Sequence, residues 1–178
     1  LPLIVLTPKS LLRHPAVMSA PRELAEGRFQ PVIDDEAARV KPAAVTRAVL
    51  CSGKVAVDVA TSDARPQAVH VAICRVEQLY PFPTAQIAEV LDRYTNLKEL
   101  VWLQEEPLNM GTWEFARPLL EELAGERRAL RYVGRTRSAS PSEGSAAWHQ
   151  LTQRALIEQV LSKADEPVGA PLVLSKRV

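Results

Sequence analysis

The sequence carries little that would direct the protein to a membrane or to nucleic acid. Its 178 residues have a net charge of +1, so the composition gives no general attraction to polyanions. It has no uninterrupted apolar run of about 18 residues, the length that a membrane-spanning helix requires. Residues 1–6 are apolar but lack the basic leader and the cleavage site of a signal peptide. We therefore expect a globular chain with no nucleic-acid or membrane partner.

Cysteine is also scarce. The two cysteines, Cys51 and Cys74, lie inside separate apolar runs and form no C-x-x-C motif. Cysteine is among the most buried residue types, and thiols in the cytosol stay reduced. The sequence thus predicts two buried, reduced thiols in a cytosolic protein.

Motifs of common catalytic chemistry are missing as well. There is no G-x-S-x-G elbow, no G-x-x-x-x-G-K-[ST] phosphate loop and no G-x-G-x-x-G fingerprint. The turn at residues 52–54, Ser-Gly-Lys, would suit a phosphate at a helix start, but a bare strand-to-helix turn is the favoured interpretation. His70 and His149 have no metal ligand at a suitable spacing, which favours packing or surface roles. We assign no catalytic residue and no metal site.

The chain does have a regular alternation of short apolar runs and amphipathic segments from residue 47 onward. Such alternation is typical of a parallel sheet with helices on both faces. It predicts a three-layer α/β fold over residues 47–164, with strands at 48–51, 69–76, 100–104 and 129–133. Helices are predicted at 54–63, from the cap Thr84 through Tyr94, at 109–123 and at 145–163. The helix at 109–123 is expected to bury Phe115, Leu119 and Leu123. The helix at 145–163 is expected to bury Trp148, Leu151, Ala155, Ile157, Val160 and Leu161.

The two ends of the chain follow a different pattern. Residues 1–8 are predicted as a strand, 9–22 as a basic, exposed crossover and 23–45 as an irregular connection with one helical turn. Long irregular connections tend to be functional or to wrap a neighbour. Because the first residue is not Met and lies in an apolar run, we expect a fragment or terminal domain of a longer polypeptide. Residues 165–178 are predicted as a tail.

The most informative stretch runs from Glu99 to Trp113. Its apolar run at 100–103 predicts a strand buried on both faces. Pro107 is expected to stop strand pairing because it has no N–H to donate. Asn109 is expected to cap the helix that follows.

Three polar residues, Gln104, Glu105 and Glu106, follow that strand. In an open parallel sheet, ligands and partners meet the chain just beyond the carboxyl ends of the strands. Adjacent strand residues point to opposite faces, so Glu105 and Glu106 make a poor acid–base pair. The favoured interpretation is a local bond for one carboxylate and a partner contact for the other.

A hydroxyl-rich basic loop is a candidate anion site. Arg135 and Arg137 stand close to Ser138 and Ser140, and guanidinium forks with backbone N–H groups suit a phosphate or carboxylate. The favoured interpretation is nevertheless helix capping by Ser140 or Ser142, with solvated arginines.

A second basic cluster lies near the start of the chain. Lys9, Arg13 and His14 stand between two prolines. An anionic ligand or a contact with another domain is one interpretation, and a solvated loop is the other.

Five motifs occur together in one order: TPKSLLRHP at 7–15, CSGKV at 51–55, RVEQLYPFP at 75–83, WLQEEPLNMG at 102–111 and YVGRTRSASPSEG at 132–144. On these motifs, residues 1–163 resemble the C-terminal region of the first, decarboxylating component of the 2-oxoglutarate dehydrogenase complex. RVEQLYPFP and QEEPLNMG are the specific ones, whereas SGK alone would be a weak signal.

The resemblance implies a transketolase-like C-terminal domain at 47–164, preceded at 1–46 by the end of a pyrimidine-binding domain and a crossover. It implies that thiamine diphosphate and Mg²⁺ are bound by domains absent from this sequence. Implied partners are that pyrimidine-binding domain, the second subunit of a homodimer, the lipoyl succinyltransferase component and an AMP or acyl-CoA effector. The implied location is the bacterial cytoplasm, or the mitochondrial matrix in a eukaryote.

The resemblance also assigns expected roles to individual residues. Effector candidates are Lys9, Arg13, Arg135, Arg137 and Ser140, and interface candidates are His14, Gln104, Glu105, Glu106 and Asn109. A free-standing nucleotide- or acyl-CoA-binding module and the same domain of a 2-oxoadipate-type homologue remain alternatives.

Overall fold

A computed structural model describes residues 2–163 of the chain. The strands are β1 (Val32–Ile33), β2 (Arg47–Cys51), β3 (Val71–Val76), β4 (Glu99–Pro107) and β5 (Ala129–Arg135). They form one sheet in the order β1-β3-β2-β4-β5, in which β1 is antiparallel to β3 and all other neighbours are parallel. The tail predicted at 165–178 lies outside the described residues.

Helices cover both faces of the sheet. They are α1 (Pro21–Glu26), α2 (Glu36–Arg39), α3 (Lys54–Ala60), α4 (Thr84–Leu91), α5 (Trp113–Ala124) and α6 (Ala146–Leu161), with 3₁₀ turns at Lys9–Leu11, Pro15–Val17, Pro42–Ala44 and Arg65–Gln67. Apolar residues of α3 and α6 pack on one face, and those of α4 and α5 pack on the other. The predicted α/β fold with a mostly parallel sheet between two helical layers is confirmed.

The core lies on both sides of β2 and β4. All five residues of β2 are buried, with Val49 and Cys51 facing α3 and α6 and Ala48 and Leu50 facing the other layer. A strand covered on both faces needs a continuous apolar run. Each fully buried Val or Leu side chain stabilises the fold by roughly 1.5–3 kcal/mol.

The strand order creates a crevice at one end of the sheet. The chain leaves β2 for β3 through α3 and then crosses to β4 on the far side of β2 through α4. Because these connections lie on opposite faces, the loops after β2 and β4 diverge at a topological switch point. We call this end, formed by the chain just after β2, β3, β4 and β5, the carboxyl edge.

The connection predicted as irregular at 23–45 contains a short strand and a helix that pack on the sheet. Asp35 caps α2 by accepting two backbone N–H groups, and its other oxygen accepts from the Ile73 N–H at 2.9 Å and from Arg65 at 2.6 Å. Asp34 accepts from the Tyr94 hydroxyl at 2.5 Å. Two adjacent carboxylates therefore tie β1 and α2 to β3 and to the turn after α4.

The strand predicted at residues 1–8 is wrong for the described part of it. Residues 2–8 make no strand pairing, and Leu3 and Leu6 are 89% and 92% exposed. A strand needs a neighbour for its backbone N–H and C=O groups, and the described residues offer none to this run.

The strand end predicted before Pro107 is also wrong. β4 continues to Pro107, which lies opposite Arg135 after a register shift that follows Leu103. Hydrogen bonding between β4 and β5 continues past Pro107 because the next residue, Leu108, donates its N–H to the Arg135 carbonyl at 3.0 Å.

Two predicted helix faces need correction. Phe115 and Leu151 are 46% and 58% exposed, although both were predicted to be buried. In α5 the buried residues are Ala116, Leu120 and Ala124, one position along from the predicted set. One residue turns a helix by about 100°, so this shift moves the apolar face to a different side.

The predicted burial of two unpaired cysteines is confirmed, since Cys51 and Cys74 are free and buried. Cys51 lies opposite Arg75, Cys74 lies opposite Leu50, and the two side chains belong to the cores on opposite faces of the sheet. The sheet itself therefore separates the sulfur atoms. Burial raises the pKa of Cys51 to about 12 and holds the pKa of Cys74 well above its usual value.

Candidate functional site

Gln104 is the centre of the polar network at the carboxyl edge. Its side-chain oxygen accepts from the Trp102 indole N–H and from the Trp113 backbone N–H, each at 3.1 Å. Its NH₂ group donates to the Met110 carbonyl at 2.8 Å and to the Pro107 carbonyl at 3.1 Å. All four hydrogen-bonding positions of the amide are therefore occupied by this chain.

This network places Gln104 inside the chain, although the sequence predicts it at an interface. The residue is 4% exposed, so it shapes the surface loop from beneath. Gly111 has a φ of +68°, and a Cβ there would lie 3.1 Å from the Gln104 amide. The loop thus needs glycine both for its backbone conformation and for the close approach.

Asn109 does not cap α5, contrary to the prediction. The helix begins at Trp113, and the preceding Thr112 makes no side-chain cap, so Gln104 supplies the acceptor for the first helical N–H. Asn109 is exposed and pairs with Ser138, donating to its carbonyl and accepting from its N–H at 3.0 Å each. Asn109 therefore joins the loop after β4 to the loop after β5.

Glu105 and Glu106 have separate environments. Glu105 is half-buried and accepts from Gln153 of α6 at 2.9 Å, and the same Gln153 nitrogen donates to Asp58 of α3 at 2.9 Å. Lys54 forms an ion pair with Asp58 one helical turn away. Glu106 is exposed. The network ties β4, α3 and α6 together and leaves Glu106 facing solvent.

Arg135 holds the basic loop in place from within. Its guanidinium donates to the Glu105 carbonyl at 2.5 Å and to the Pro141 carbonyl at 2.7 Å, and it lies 3.6 Å from the Glu143 carboxylate. That carboxylate also contacts His149 at 2.9 Å. The Arg135 side chain is 15% exposed. Its contacts therefore fold the loop back on β4.

Arg137 differs from Arg135. Its side chain is 67% exposed, and its ion pair with Glu114 spans 3.1 Å at the surface. Ser140 is exposed and donates its hydroxyl within its own turn. Of the two loop arginines, Arg137 is the one whose guanidinium faces solvent.

A polar cleft of about 490 Å³ lies beside this loop. It is lined by Pro107, Arg135, Thr136, Arg137, Ser138, Ser142, Glu143, Ser145, Trp148 and Thr152. Hydroxyls and Arg137 would suit an anion, whereas Glu143 would oppose one.

Within residues 2–163, no hydrogen bond connects the basic cluster of Lys9, Arg13 and His14 to the carboxyl edge. Within the range 2–163, the side chains of Lys9 and Arg13 make no hydrogen bond or ion pair, and both residues are exposed. His14 is half-buried and accepts from the Ala16 N–H at 3.2 Å. The structure therefore does not join the two basic clusters through direct contacts.

An exposed aromatic cluster at the carboxyl edge was missed by the sequence analysis. Phe115 lies 6.4 Å from Tyr80 and 6.2 Å from Phe82, measured between ring centroids. Tyr80 is 84% exposed. The available signal was the pair of aromatic residues set between prolines just after β3. Exposed aromatic groups in one patch mark a contact surface.

Residues 2–163 contain no group of three or more His, Cys, Asp or Glu side chains that could hold a metal ion. Within the same range, no helix is long and apolar enough to cross a membrane. The polar side chains named above hold loops in place.

Comparison with known proteins gives one consistent result. A family model described as 2-oxoglutarate dehydrogenase C-terminal matches residues 18–161. A 2-oxoglutarate dehydrogenase E1 component of Bacillus cereus strain AH820 is 43% identical over 164 residues, which is 90% of this chain and 17% of that protein. A protein of the same name from Bacillus anthracis is 42% identical over 164 residues, with the same two coverages.

The chain thus spans 17% of the length of these relatives. The match covers the whole sheet, both helical layers and every residue of the carboxyl edge described above. The chain belongs to the 2-oxoglutarate dehydrogenase C-terminal family.

Proposed function

We propose that the chain is the C-terminal domain of a thiamine-diphosphate-dependent 2-oxoglutarate dehydrogenase. The parent enzyme carries out the oxidative decarboxylation of 2-oxoglutarate in the tricarboxylic acid cycle of a bacterial cytoplasm. The observation that carries this proposal is the 43% identity over 90% of the chain with a 2-oxoglutarate dehydrogenase E1 component. Thiamine diphosphate and Mg²⁺ are bound by the preceding domains, which also supply the catalytic residues.

The chain's own role in that enzyme is assembly. It packs against the pyrimidine-binding domain of its polypeptide and against a second subunit, and it roofs the active-site channel from which the acyl group passes to the lipoyl succinyltransferase. The support is that side-chain hydrogen bonds hold the loops of the carboxyl edge, and that the edge presents exposed aromatic and polar groups. Four hydrogen bonds from one amide and three contacts from Arg135 fix its loops.

The interface is proposed to centre on the exposed members of that edge. Glu106 and Asn109 are exposed, and Tyr80 and Phe115 add apolar area beside them. Gln104 supports this surface from beneath. Aromatic anchors with polar neighbours are typical of residues that carry most of the binding energy at interfaces.

Residues 1–46 are proposed to connect this domain with the preceding one. Leu3 and Leu6 are almost fully exposed, as expected for a segment whose partner surface lies elsewhere in the parent. In the last third of the segment, β1 and α2 anchor the crossover on this sheet.

The decisive experiment is a turnover assay on the parent polypeptide with thiamine diphosphate and Mg²⁺. We expect 2-oxoglutarate to be decarboxylated with a far higher kcat/KM than 2-oxoadipate, and the isolated 178-residue chain to be inactive. A preference for 2-oxoadipate would assign the parent to the homologous enzyme class. Turnover by the isolated chain would overturn the assembly role.

Binding of an anionic effector is a second proposal, favoured by the cleft beside Arg137. The exposed candidates are Lys9, Arg13, Arg137 and Ser140, while Arg135 would act by holding the loop. Calorimetric titration of the parent with AMP and with acetyl-CoA tests it, using Arg137→Ala and Arg13→Ala against wild type. Unchanged affinity in both variants contradicts the proposal, and equally tight binding by the isolated chain would favour a free-standing regulatory module.

A further inference from the structure

Arg137 stands between two pockets at the carboxyl edge. It lines the polar cleft of about 490 Å³ described above, and it also lines a second pocket of about 370 Å³. Three charged residues of α5, Glu114, Arg117 and Glu121, line the second pocket with it. The Arg137 Nη2 atom donates to the Glu114 Oε1 atom at 3.1 Å. The exposed guanidinium of the cleft is therefore held by a carboxylate of the neighbouring pocket.

The loop beside the cleft has already used several of its backbone donors. The Ser138 N–H donates to the Asn109 side-chain oxygen at 3.0 Å. The Ser140 N–H donates to the Ser138 hydroxyl oxygen at 3.1 Å, and the Ser142 N–H donates to the Ser140 hydroxyl oxygen at 3.4 Å. Side-chain oxygens thus occupy three alternate N–H groups of the loop. An anion in the cleft would have to rely mainly on side-chain donors.

The two arginines of the cleft differ in what they can offer an anion. Arg135 is 15% exposed, and its guanidinium binds the Glu105 and Pro141 carbonyls. Arg137 is 67% exposed, and its pair with Glu114 engages one of the five N–H donors of a guanidinium. Exposed ion pairs of this kind are weak, so an incoming anion can displace the carboxylate. The availability of Arg137 to an anion thus depends on Glu114.

We propose that Glu114 is an internal competitor for the anion site. Its carboxylate holds the Arg137 guanidinium in the ligand-free protein and releases it when a phosphate-bearing ligand enters the cleft. This role rests on the effector binding proposed above, and it adds the residue that sets the affinity of that site. Because the ligand must displace Glu114, removing the charge of this side chain tightens binding.

Calorimetric titration of the parent polypeptide with AMP and with acetyl-CoA tests the competition. Glu114→Gln keeps the size of the side chain and removes its charge. We expect the variant to bind the ligand with a Kd roughly two- to fivefold lower than wild type, the range that a weak exposed ion pair allows. A Kd equal to that of wild type would overturn the proposal.

Glu121→Gln is the matched control. Glu121 lines the same pocket and forms an exposed ion pair with Arg117 at 2.8 Å, so the variant makes the same change of charge and releases a different arginine. We expect it to leave the Kd as in wild type. Equal tightening in the Glu114 and Glu121 variants would show a general effect of charge and would overturn the specific role of Glu114.

Failure of the effector proposal itself gives a different result. If Arg137→Ala weakens binding while Glu114→Gln leaves it unchanged, the anion site stands and the competitor role is overturned. If neither wild type nor Glu114→Gln releases or absorbs heat with either ligand, effector binding is overturned, and the competitor role with it. Weaker binding in Arg137→Ala together with tighter binding in Glu114→Gln supports both.

Discussion

The side-chain oxygen of Gln104 accepts the backbone N–H of Trp113 at 3.1 Å, so a buried residue of β4 caps the helix that starts nine residues later. Its NH₂ group holds the carbonyls of Pro107 and Met110 in the intervening loop. One amide therefore defines the shape of the loop that carries the exposed Asn109. The proposed contact surface is therefore held in shape by hydrogen bonds from a buried side chain beneath it.

Replacing Gln104 by leucine should destabilise the chain by more than about 2 kcal/mol. The change leaves the Trp102 indole and the Met110 carbonyl without partners, and each buried group left unpaired costs ~1–3 kcal/mol. Urea unfolding followed by circular dichroism measures the loss. Gln150→Leu is the control at an exposed glutamine of α6 and should leave the midpoint unchanged. Equal midpoints for the two variants would contradict the role assigned to Gln104.

Arg135→Leu should loosen the loop at 136–144 with less effect on global stability. The variant removes the contacts with the Glu105 and Pro141 carbonyls and leaves His149 as the remaining side-chain partner of Glu143. Hydrogen exchange should speed up in the loop and stay unchanged in β2. Arg137→Leu, at the exposed neighbour, is the control and should leave loop exchange as in wild type. Exchange unaffected in both variants would show that Arg135 does not hold the loop.

Arg47 carries a buried charge at the amino end of β2. We expect Arg47→Met to lower the free energy of unfolding by about 3–5 kcal/mol. The side chain is 1% exposed, pairs with Glu99 at 2.8 Å and donates to the Val160 carbonyl near the end of α6 at 3.1 Å. Its removal leaves the mostly buried Glu99 carboxylate without its 2.8 Å partner and takes a donor away from the Val160 carbonyl. Arg117→Met, at an exposed pair within α5, should leave the urea midpoint unchanged. A loss as small as that of the control would contradict this assignment.

Stability should fall as the pH rises above about 9. The thiol of Cys51 ionises near pH 9 in the unfolded chain, while burial raises its pKa to about 12 in the folded chain, so the unfolded state loses protons first. Burial also raises the pKa values of Cys74, Tyr94 and Tyr132, which adds to the same trend. Urea midpoints between pH 7 and pH 10.5 measure the slope, and Cys51→Ala should reduce it. A midpoint that rises over this range would contradict the assignment.

The strands β2, β3 and β4 were predictable because each contains a continuous apolar run beside turn residues. Burial on both faces imposes that pattern locally, as in β2. The strand β1 was not predictable from its two residues. It exists because Asp34 and Asp35 bind groups on β3 and on the turn after α4 that lie far away in the sequence.

The candidate site was located by the sequence but not resolved in detail. The position of Glu105 and Glu106 at the end of β4 followed from the pattern, as did their separation onto different sides. The cap that Gln104 provides for α5 did not, because it depends on how the intervening loop folds. Similarly, Arg135 and Arg137 are equivalent in the sequence, and only tertiary contacts distinguish the internal one from the exposed one.

The mass of the parent enzyme in solution shows whether the carboxyl edge is its assembly surface. Sedimentation equilibrium of the parent polypeptide should give a dimer for wild type and a monomer for the double variant Tyr80→Asp, Phe115→Asp, whose side chains are both exposed in this chain. The matched double variant Leu24→Asp, Leu151→Asp, also at exposed apolar residues, should remain a dimer. A dimer of unchanged stability in the aromatic double variant would contradict the account.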